Sequence, residues 1–286
     1  MGAAERMNLT MSDKIFVPDG TETAAAMART SDLCIAAHQD DVEIMAFAPT
    51  AACYAKTDRW FSAVVLTNGA GSPRTGDYAD YTDEQMQAVR RVEQNNAAVI
   101  GQYGFMGQLG YSSAAVKNAA DKAPVQELAE ILRAARPEKV YTHNLADKHD
   151  THVATALRTI EALRLLSPEE RPKKVYSLEV WRGLDWLCDE DKTCFSTADR
   201  PHLAAALLGV FDSQIAGGKR YDSAAIGRRL ANATFFASHN TDDTDSLSYG
   251  LDITDMVFSD ADPKEFIVHF INRFQNEVIK RLEALS

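Results

Sequence analysis

The sequence predicts an α/β fold: a Rossmann-like, mostly parallel sheet with helices on both faces and a helical C-terminal third. Three observations predict this fold. Short β-rich runs recur at wide intervals, amphipathic helical patterns lie between them, and the last third of the chain is mainly helical in pattern. Strands that alternate with helices form crossover units, which build a parallel sheet covered on both faces. Such a sheet binds ligands beyond the carboxyl ends of its strands.

Four β-rich runs are the predicted strands: Asp32–Ala37, Phe61–Thr67, Lys139–His143 and Lys174–Val180. Between and after them, apolar residues recur at spacings of three or four, which predicts amphipathic helices. The predicted helices are Glu84–Gly101, Val125–Ala135, Val153–Leu166, Leu203–Ile215, Ser223–Ser238 and Pro263–Leu285. Gly101 and Pro137 are typical stop signals for the first two of these helices.

The chain has 286 residues and a formal net charge of −11. Residues 1–30 are polar with little periodicity, so we predict an N-terminal extension over 1–30 and one domain over 31–286. The negative charge argues against nucleic acid or an anionic membrane as a partner, because either requires a basic face. No stretch reaches the roughly 18 apolar residues of a membrane span. We therefore expect a cytoplasmic protein with a small-molecule substrate and no membrane anchor, and the sequence leaves a homo-oligomer possible.

A polar cluster directly follows the first predicted strand. The apolar run Leu33–Ala37 ends at His38 and at the adjacent carboxylates Asp40 and Asp41. Bringing these groups together near a core is costly unless their charge is compensated, and a divalent metal compensates it directly. His38 and Asp41 can both point at one ion. Asp40 then projects beside the metal, where a general base for the water that the metal activates belongs.

A second cluster, His149-Asp150-Thr151-His152, lies at the start of the predicted helix Val153–Leu166. Catalytic zinc commonly takes three protein ligands from His and Asp or Glu. One of the two histidines can complete that set while the other faces the substrate. Iron(II) suits the same ligands nearly as well. Each cluster alone could be a turn or a helix cap, but together at strand ends they predict a zinc hydrolase.

These residues also resemble the motifs of a known protein family. The stretch Ala37–Glu43 is similar to the AHPDDE signature of the PIG-L (LmbE-like) family of zinc-dependent N-acetylglucosaminyl deacetylases, and His149–His152 resembles its later HPDH motif. Between them, Thr67–Gly69 and Arg90–Gly101 match the family stretches "TxG" and "RxxExxxAxxxLG". The resemblance covers roughly residues 31–165 well and the C-terminal third only loosely.

The resemblance implies roles for five residues. His38, Asp41 and His152 would be the zinc ligands, and Asp40 would be the general base. His149 would stabilise the tetrahedral oxyanion or protonate the leaving amine, and the sequence does not divide that second task between His149 and Asp40.

Two further residues are predicted to bind the substrate. Arg90 matches a substrate-contacting arginine in some relatives, and a solvated helix charge is its alternative interpretation. His143 ends the third predicted strand and is expected to line the pocket, unless it is only a hydrogen-bonded histidine at a strand end. The chain departs from the family where Thr151 replaces an acidic residue. Asp147 or Asp150 would then supply the carboxylate that a ligating or catalytic histidine needs at its other ring nitrogen.

The function that this resemblance implies is hydrolysis of an N-acetyl (N-acyl) group from an N-acetylglucosamine-type amino sugar or its conjugate, a reaction on a linear amide C–N bond. Two alternatives stay open. One is a non-catalytic sugar- or nucleotide-binding α/β protein, and the other is a zinc amidase that acts on a non-sugar amide. Asp40 favours an enzyme, because metal binding does not require it and catalysis does.

Overall fold

The structure is a computed structural model that describes residues 13–286. Its strands are β1 Ile15–Phe16, β2 Asp32–Ala36, β3 Phe61–Thr67, β4 Met106–Tyr111, β5 Lys139–His143, β6 Lys174–Leu178, β7 Thr193–Ser196 and β8 Leu247–Asp252. They form one sheet in the order β1-β4-β3-β2-β5-β6-β8-β7. The five strands from β4 to β6 are parallel, while β1 at one edge and β8 and β7 at the other pair antiparallel. The predicted fold class, with a mostly parallel sheet, is confirmed.

The helices of the described residues are α1 Thr23–Ala28, α2 Asp41–Met45, α3 Phe47–Cys53, α4 Asp83–Ile100, α5 Ser113–Lys117, α6 Ala123–Ala135, α7 Asp150–Arg164, α8 Pro201–Gly209, α9 Asp212–Ile215, α10 Tyr221–Phe235, α11 Thr254–Val257 and α12 Pro263–Leu285. The predicted helix Leu203–Ile215 is interrupted. Phe211 leaves the helical conformation (φ −87°, ψ 59°) and is buried against Phe47 and Leu207, so the chain turns between α8 and α9.

Helices cover both faces of the sheet because both faces are apolar. In β2, Leu33 and Ile35 belong to the core beneath α6 and α7. The alternate residues Cys34 and Ala36 face the opposite core, which contains residues of α2 and α3. Side chains of a strand alternate between faces, so a strand buried on both sides is an apolar run rather than an alternating pattern.

The direction in which successive strands are added to the sheet reverses between β2 and β5. From β2 the chain continues to β3 and β4 on one side, whereas β5 and β6 lie on the other side. A crevice forms at such a switch point, outside the carboxyl ends of the two strands. Both polar clusters of the sequence follow these two strands, so the fold brings them to the same crevice.

The predicted N-terminal extension is in part packed against the domain. Residues 1–12 lie outside the described residues. Beyond them, β1 pairs with β4, and α1 buries Ala26 and Met27. None of the helices within residues 13–286 has the length and apolar character needed to cross a membrane.

Candidate metal centre

Two turns after neighbouring strands bring the predicted ligands together. His38 follows β2, and Asp41 is the first residue of α2. His152 lies in the first turn of α7, which follows β5. The registered pairing of β2 with β5 holds these two turns side by side. Residues more than one hundred positions apart in the chain therefore share one site.

The three predicted ligand atoms form a nearly equilateral triangle. Asp41 Oδ2 lies 3.1 Å from His38 Nδ1 and 3.3 Å from His152 Nε2. The two histidine nitrogens are 3.2 Å apart. Tetrahedral zinc with bonds of about 2.0–2.1 Å places its ligand atoms about 3.3 Å apart. The triangle therefore fits three ligands of one ion and leaves its fourth position open.

Two neighbouring histidines also reach this cluster. His149 groups with His38 and His152, and His143 groups with Asp41 and His152, with the potential ligand atoms of each group within 4.8 Å of one another. Four histidines and one carboxylate thus form two overlapping groups that share His152. Such a donor set suits zinc or iron(II) better than magnesium or calcium, which prefer oxygen.

Asp41 and His152 shift each other's pKa. Burial alone would raise the pKa of Asp41, but His152 and hydrogen bonds from His143, His152 and His38 hold the pKa well below its usual range. Burial alone would lower the pKa of His152, but Asp41 and Asp147 raise it to about 10. Both shifts arise mainly because Asp41 and His152 lie against each other and each favours the charged form of the other.

Asp147 supplies the carboxylate that the sequence motif lacks. Its Oδ2 lies 3.2 Å from His152 Nδ1, on the side away from the cluster. Its oxygens also accept from the backbone N–H groups of His149 and Val180. Asp150, the other candidate, is exposed. His152 is therefore oriented by Asp147 despite Thr151 in the family's acidic position.

Asp40 lies beside the triangle and is held in an unusual backbone conformation. Its φ of 86° lies in a region that non-glycine residues rarely adopt, and such outliers often occur at functional sites. The turn is fixed by α4: Gln94 accepts from the Asp40 backbone N–H at 3.1 Å, and Arg90 donates to the Gln39 carbonyl. The side chain of Asp40 is 3.5 Å from Arg90 Nη2.

Burial raises the pKa of Asp40 to about 8, with Arg90 opposing the shift and Asp41 and Glu43 adding to it. A carboxyl group with a pKa near the operating pH can both accept and return a proton. Arg90 is only 1% exposed, which excludes its alternative interpretation as a solvated helix charge.

His143 lies beneath the site rather than in the cavity. It is fully buried, its ring stacks on His152 with centroids 4.0 Å apart, and its Nε2 is 3.4 Å from Asp41 Oδ2. The Ala37 backbone N–H donates to Nε2 at 2.9 Å. Burial, with help from His152, lowers the pKa of His143 to about 4, so the ring is neutral at pH 7.

His149 is the N-cap of α7. Its Nδ1 accepts from the Thr151 backbone N–H at 3.3 Å, so in the neutral ring the proton is on Nε2. Burial lowers the pKa of His149, and His152 and His38 add to this effect. The ring lines the cavity above the triangle and presents a neutral donor there.

The cluster opens into a cavity of about 360 Å³. Its polar lining includes Thr67, Ser72, Ser113 and Gln214, and its apolar lining includes Ile44, Pro73, Val180, Trp181 and Tyr221. Arg90 and Lys219 also line it. Gln214, Lys219 and Tyr221 come from the helical C-terminal third, and no sequence pattern identified them. Gln94 was also missed, although it lies one helical turn after Arg90 on α4.

The glycine-rich segment 69–81 forms one wall of the cavity through Gly69, Gly71, Ser72 and Pro73. Gly69 has φ 76°, which favours glycine, and a Cβ there would also lie 3.1 Å from Cβ and Cγ of the buried Arg90. Tyr78 donates to Asp212 at 2.6 Å and so ties this wall to α9.

Comparison with known proteins agrees with the motifs. Residues 33–163 match the family model described as PIG-L: GlcNAc-PI de-N-acetylase, which confirms the predicted resemblance. A search of curated proteins found no match.

Solved structures share the fold. N,N'-diacetylchitobiose deacetylase from Pyrococcus horikoshii has a TM-score of 0.63 and 15% identity, over 91% of this chain and 96% of that one. The conserved protein TT1542 from Thermus thermophilus has a TM-score of 0.62 and 18% identity, over 78% and 94%. GalB, the 4-carboxy-2-hydroxymuconate hydratase from Pseudomonas putida, has a TM-score of 0.60 and 19% identity, over 78% and 96%. One fold thus carries a deacetylase and a hydratase, so the reaction must be argued from the site.

Proposed function

From the match of residues 33–163 to the PIG-L family, we propose that this protein is a metal-dependent N-deacetylase. Its substrate would be an amino sugar of the N-acetylglucosamine type or a conjugate, from which it removes the N-acetyl (or N-acyl) group by hydrolysis. The observation that carries this proposal is the position of Asp40. This residue has a buried carboxyl group beside the ligand triangle but not part of it, which is the place for a group that moves protons.

His38, Asp41 and His152 would hold the ion, which we propose to be zinc, with iron(II) as the alternative. Zinc in such a site lowers the pKa of water to about 7 and polarises a carbonyl oxygen. Asp147 fixes the tautomer and the direction of His152 from behind. We assign His143 the task of supporting Asp41 and His152 from below, because it is fully buried and is not part of the cavity lining.

Asp40 accepts the proton from the attacking water. The nearby guanidinium of Arg90 favours the carboxylate form of Asp40, and a bound cation favours it further. Once protonated, Asp40 can return the proton to the nitrogen of the leaving amine. An amine must leave in its protonated form, because an amide anion is a very poor leaving group.

His149 stabilises the oxyanion that develops on the substrate carbonyl. Its lowered pKa keeps the ring neutral at pH 7, and its cap bond to Thr151 leaves Nε2–H as the donor. A donor fixed in advance costs no reorganisation when charge develops. This assignment favours Asp40 over His149 as the source of the proton for the amine.

The cavity supports an amino sugar as the substrate. The hydroxyl and amide side chains of the lining can bind sugar hydroxyls, and Trp181 and Tyr221 offer an aromatic surface for the apolar face of the ring. Arg90, which is buried in the cavity lining next to Asp40, is proposed to contact the substrate near the reacting amide.

The test is acetate release by the purified protein from a panel of N-acetylglucosamine conjugates and N-acetylated non-sugar amines. The protein is assayed after chelation and again after reloading with zinc or iron(II). We expect release from sugar substrates that is lost on chelation and restored by metal. Release only from the non-sugar amines would replace the sugar assignment, and no release with a full complement of metal would contradict the proposed function.

A further inference from the structure

A second buried charge lies behind the metal centre. Arg229 of α10 is only 4% exposed, and its Nη2 donates to the backbone carbonyls of Glu43 at 2.7 Å and Ile44 at 3.0 Å. Its Nε and Nη1 have no hydrogen-bond partner among residues 13–286. In that part of the chain, no carboxylate lies within 4.0 Å of the guanidinium. Phe47 contacts one face of it, with the ring centroid 4.8 Å from Cζ.

Two more arginines line the cleft to which Arg229 contributes. Arg182, Arg228, Arg229 and Asn232 line one small cleft, which we call the arginine cleft. Across the described residues, no salt bridge connects any of these three arginines to a carboxylate. Arg228 instead donates to the carbonyls of Val180 and Arg182.

Glu179 also lines the arginine cleft, but both of its carboxylate oxygens accept hydrogen bonds from groups other than the arginines. One of its oxygens accepts from the Leu184 backbone N–H at 2.7 Å, and the other accepts from Trp186 Nε1 at 3.0 Å. The lining therefore carries three cationic groups and one carboxylate that is already hydrogen-bonded. Its net charge is positive in a protein whose overall net charge is −11.

The arginine cleft has an internal volume of about 30 Å³. That is enough for one or two particles the size of a water molecule. Water in the cleft would leave the buried charge of Arg229 uncompensated, and an uncompensated buried charge is costly. We propose that the arginine cleft binds a small monovalent anion, such as chloride, beside the guanidinium groups of Arg182, Arg228 and Arg229 that line it.

An anion at this position would act on the metal centre through α2. Arg229 holds the carbonyls of Glu43 and Ile44 near the end of α2, whose first residue is the proposed ligand Asp41. Ile44 lines both the arginine cleft and the catalytic cavity. The anion thus stabilises the short helix that positions Asp41. The low pKa of Arg229, about 10 because of burial and the neighbouring Arg228, agrees with a site that favours negative charge.

The direct test is a bromide soak of wild-type crystals, read by the anomalous signal of bromine. We expect a peak in the arginine cleft, beside the guanidinium groups that line it. In parallel, thermal unfolding of the metal-loaded protein is measured in sodium chloride, sodium bromide and sodium gluconate at equal ionic strength. Gluconate is too large for the arginine cleft. Chloride and bromide should raise the midpoint by about 2 °C or more above gluconate, because a ligand that binds only the folded state stabilises it.

Two exposed arginines provide matched variants that should fold. Arg182→Gln lowers the positive charge of the arginine cleft and should reduce the halide-dependent shift, whereas Arg281→Gln on the distant α12 should keep it. A peak in the cleft together with this difference supports the proposal. Absence of the peak, equal midpoints in halide and gluconate, or a halide effect that Arg182→Gln leaves unchanged would each overturn it. None of these outcomes depends on the substrate of the enzyme.

Discussion

The two sides of the catalytic cavity are built in different ways. The metal side comes from residues 33–163, where motifs at two strand ends supply every proposed ligand and the proposed base. A second part of the lining, which we call the wall, comes from single residues on a loop and on the helical C-terminal third: Trp181, Gln214, Lys219 and Tyr221. The metal side therefore determines the chemistry of the site, and the wall determines which molecule fits against it.

The two sides also differ in how firmly they are held. On the metal side, Asp41 and His152 each have a further buried partner: His143 lies against Asp41, and Asp147 lies against His152. Two contacts of α9 and one of α10 tie the wall to the rest. Glu93 accepts from the backbone N–H and hydroxyl of Ser213, Asp212 accepts from Tyr78, and Arg229 donates to the carbonyls of Glu43 and Ile44. We expect changes on the metal side to abolish activity and changes in the wall to alter substrate affinity.

The largest effect is expected for His152→Ala. This change removes one corner of the ligand triangle and leaves Asp41 and Asp147 buried without their shared partner. Bound metal per chain should fall to near zero, and kcat/KM should drop by more than about 10³-fold. Metal analysis after dialysis measures the first effect. His202→Ala, an exposed histidine on α8, is the control. A variant at position 152 that retains a full equivalent of metal would refute this ligand assignment.

Asp147→Asn should have a smaller effect on the same side. His152 keeps its place but loses the carboxylate at Nδ1, and loss of such a partner typically lowers metal affinity about 10–100-fold. Competition with a chelator of known affinity gives this number. The exposed Asp150→Asn should behave as wild type. If Asp150→Asn weakens metal binding more than Asp147→Asn does, our choice between the two carboxylates is wrong.

Trp181→Ala tests the wall. The change removes part of the aromatic surface and should raise KM about 10-fold, with metal content and kcat nearly unchanged. Steady-state kinetics on a sugar substrate separate the two constants. Phe235→Ala, at a residue that is 82% exposed, controls for loss of an aromatic ring. An equal loss in kcat would mean that the wall also takes part in the chemical step.

Glu93→Gln should have the smallest effect, which depends on pH. Burial raises the pKa of Glu93, so the folded state binds a proton more tightly than the unfolded state. The stability that this provides is fully present below the unfolded pKa of about 4.3 and is lost as pH rises through the folded value. Urea unfolding at pH 5 and pH 8 should show wild type losing stability relative to the variant. A difference that does not change with pH would show that Glu93 does not titrate in this way.

The sequence predicted the structure best where a local residue pattern alone determines an element or a site. Apolar runs that end in His and Asp predicted the site at the ends of β2 and β5, and all three proposed ligands meet there. Helix α12 also agrees with its predicted bounds, because Pro263 at the start and a continuous amphipathic pattern define it. In both cases the local pattern and the tertiary environment agree.

The sequence did not predict strand β4 or the cavity residues of the C-terminal third, because tertiary packing rather than a local pattern determines them. Strand β4 contains Gly107 and Gly110, which are unfavourable in strands, and it was not predicted. A Cβ at Gly107 would lie 3.3 Å from Ile15 and from Val64, so glycine is there for close packing of the sheet. The cavity residues Gln214 and Tyr221 were missed for a similar reason: they reach the site through tertiary contacts, of α9 with Glu93 and of α10 with the end of α2.

The most direct test of the account is acetate release by Asp40→Asn beside wild type, with metal content measured in the same samples. Asparagine keeps the shape of the side chain but cannot accept the proton from water. We predict that the variant binds a full equivalent of metal and loses activity by about 10²–10⁴-fold, the usual contribution of a general base. A metal-loaded Asp40→Asn variant that releases acetate at the wild-type rate would contradict the central role of Asp40.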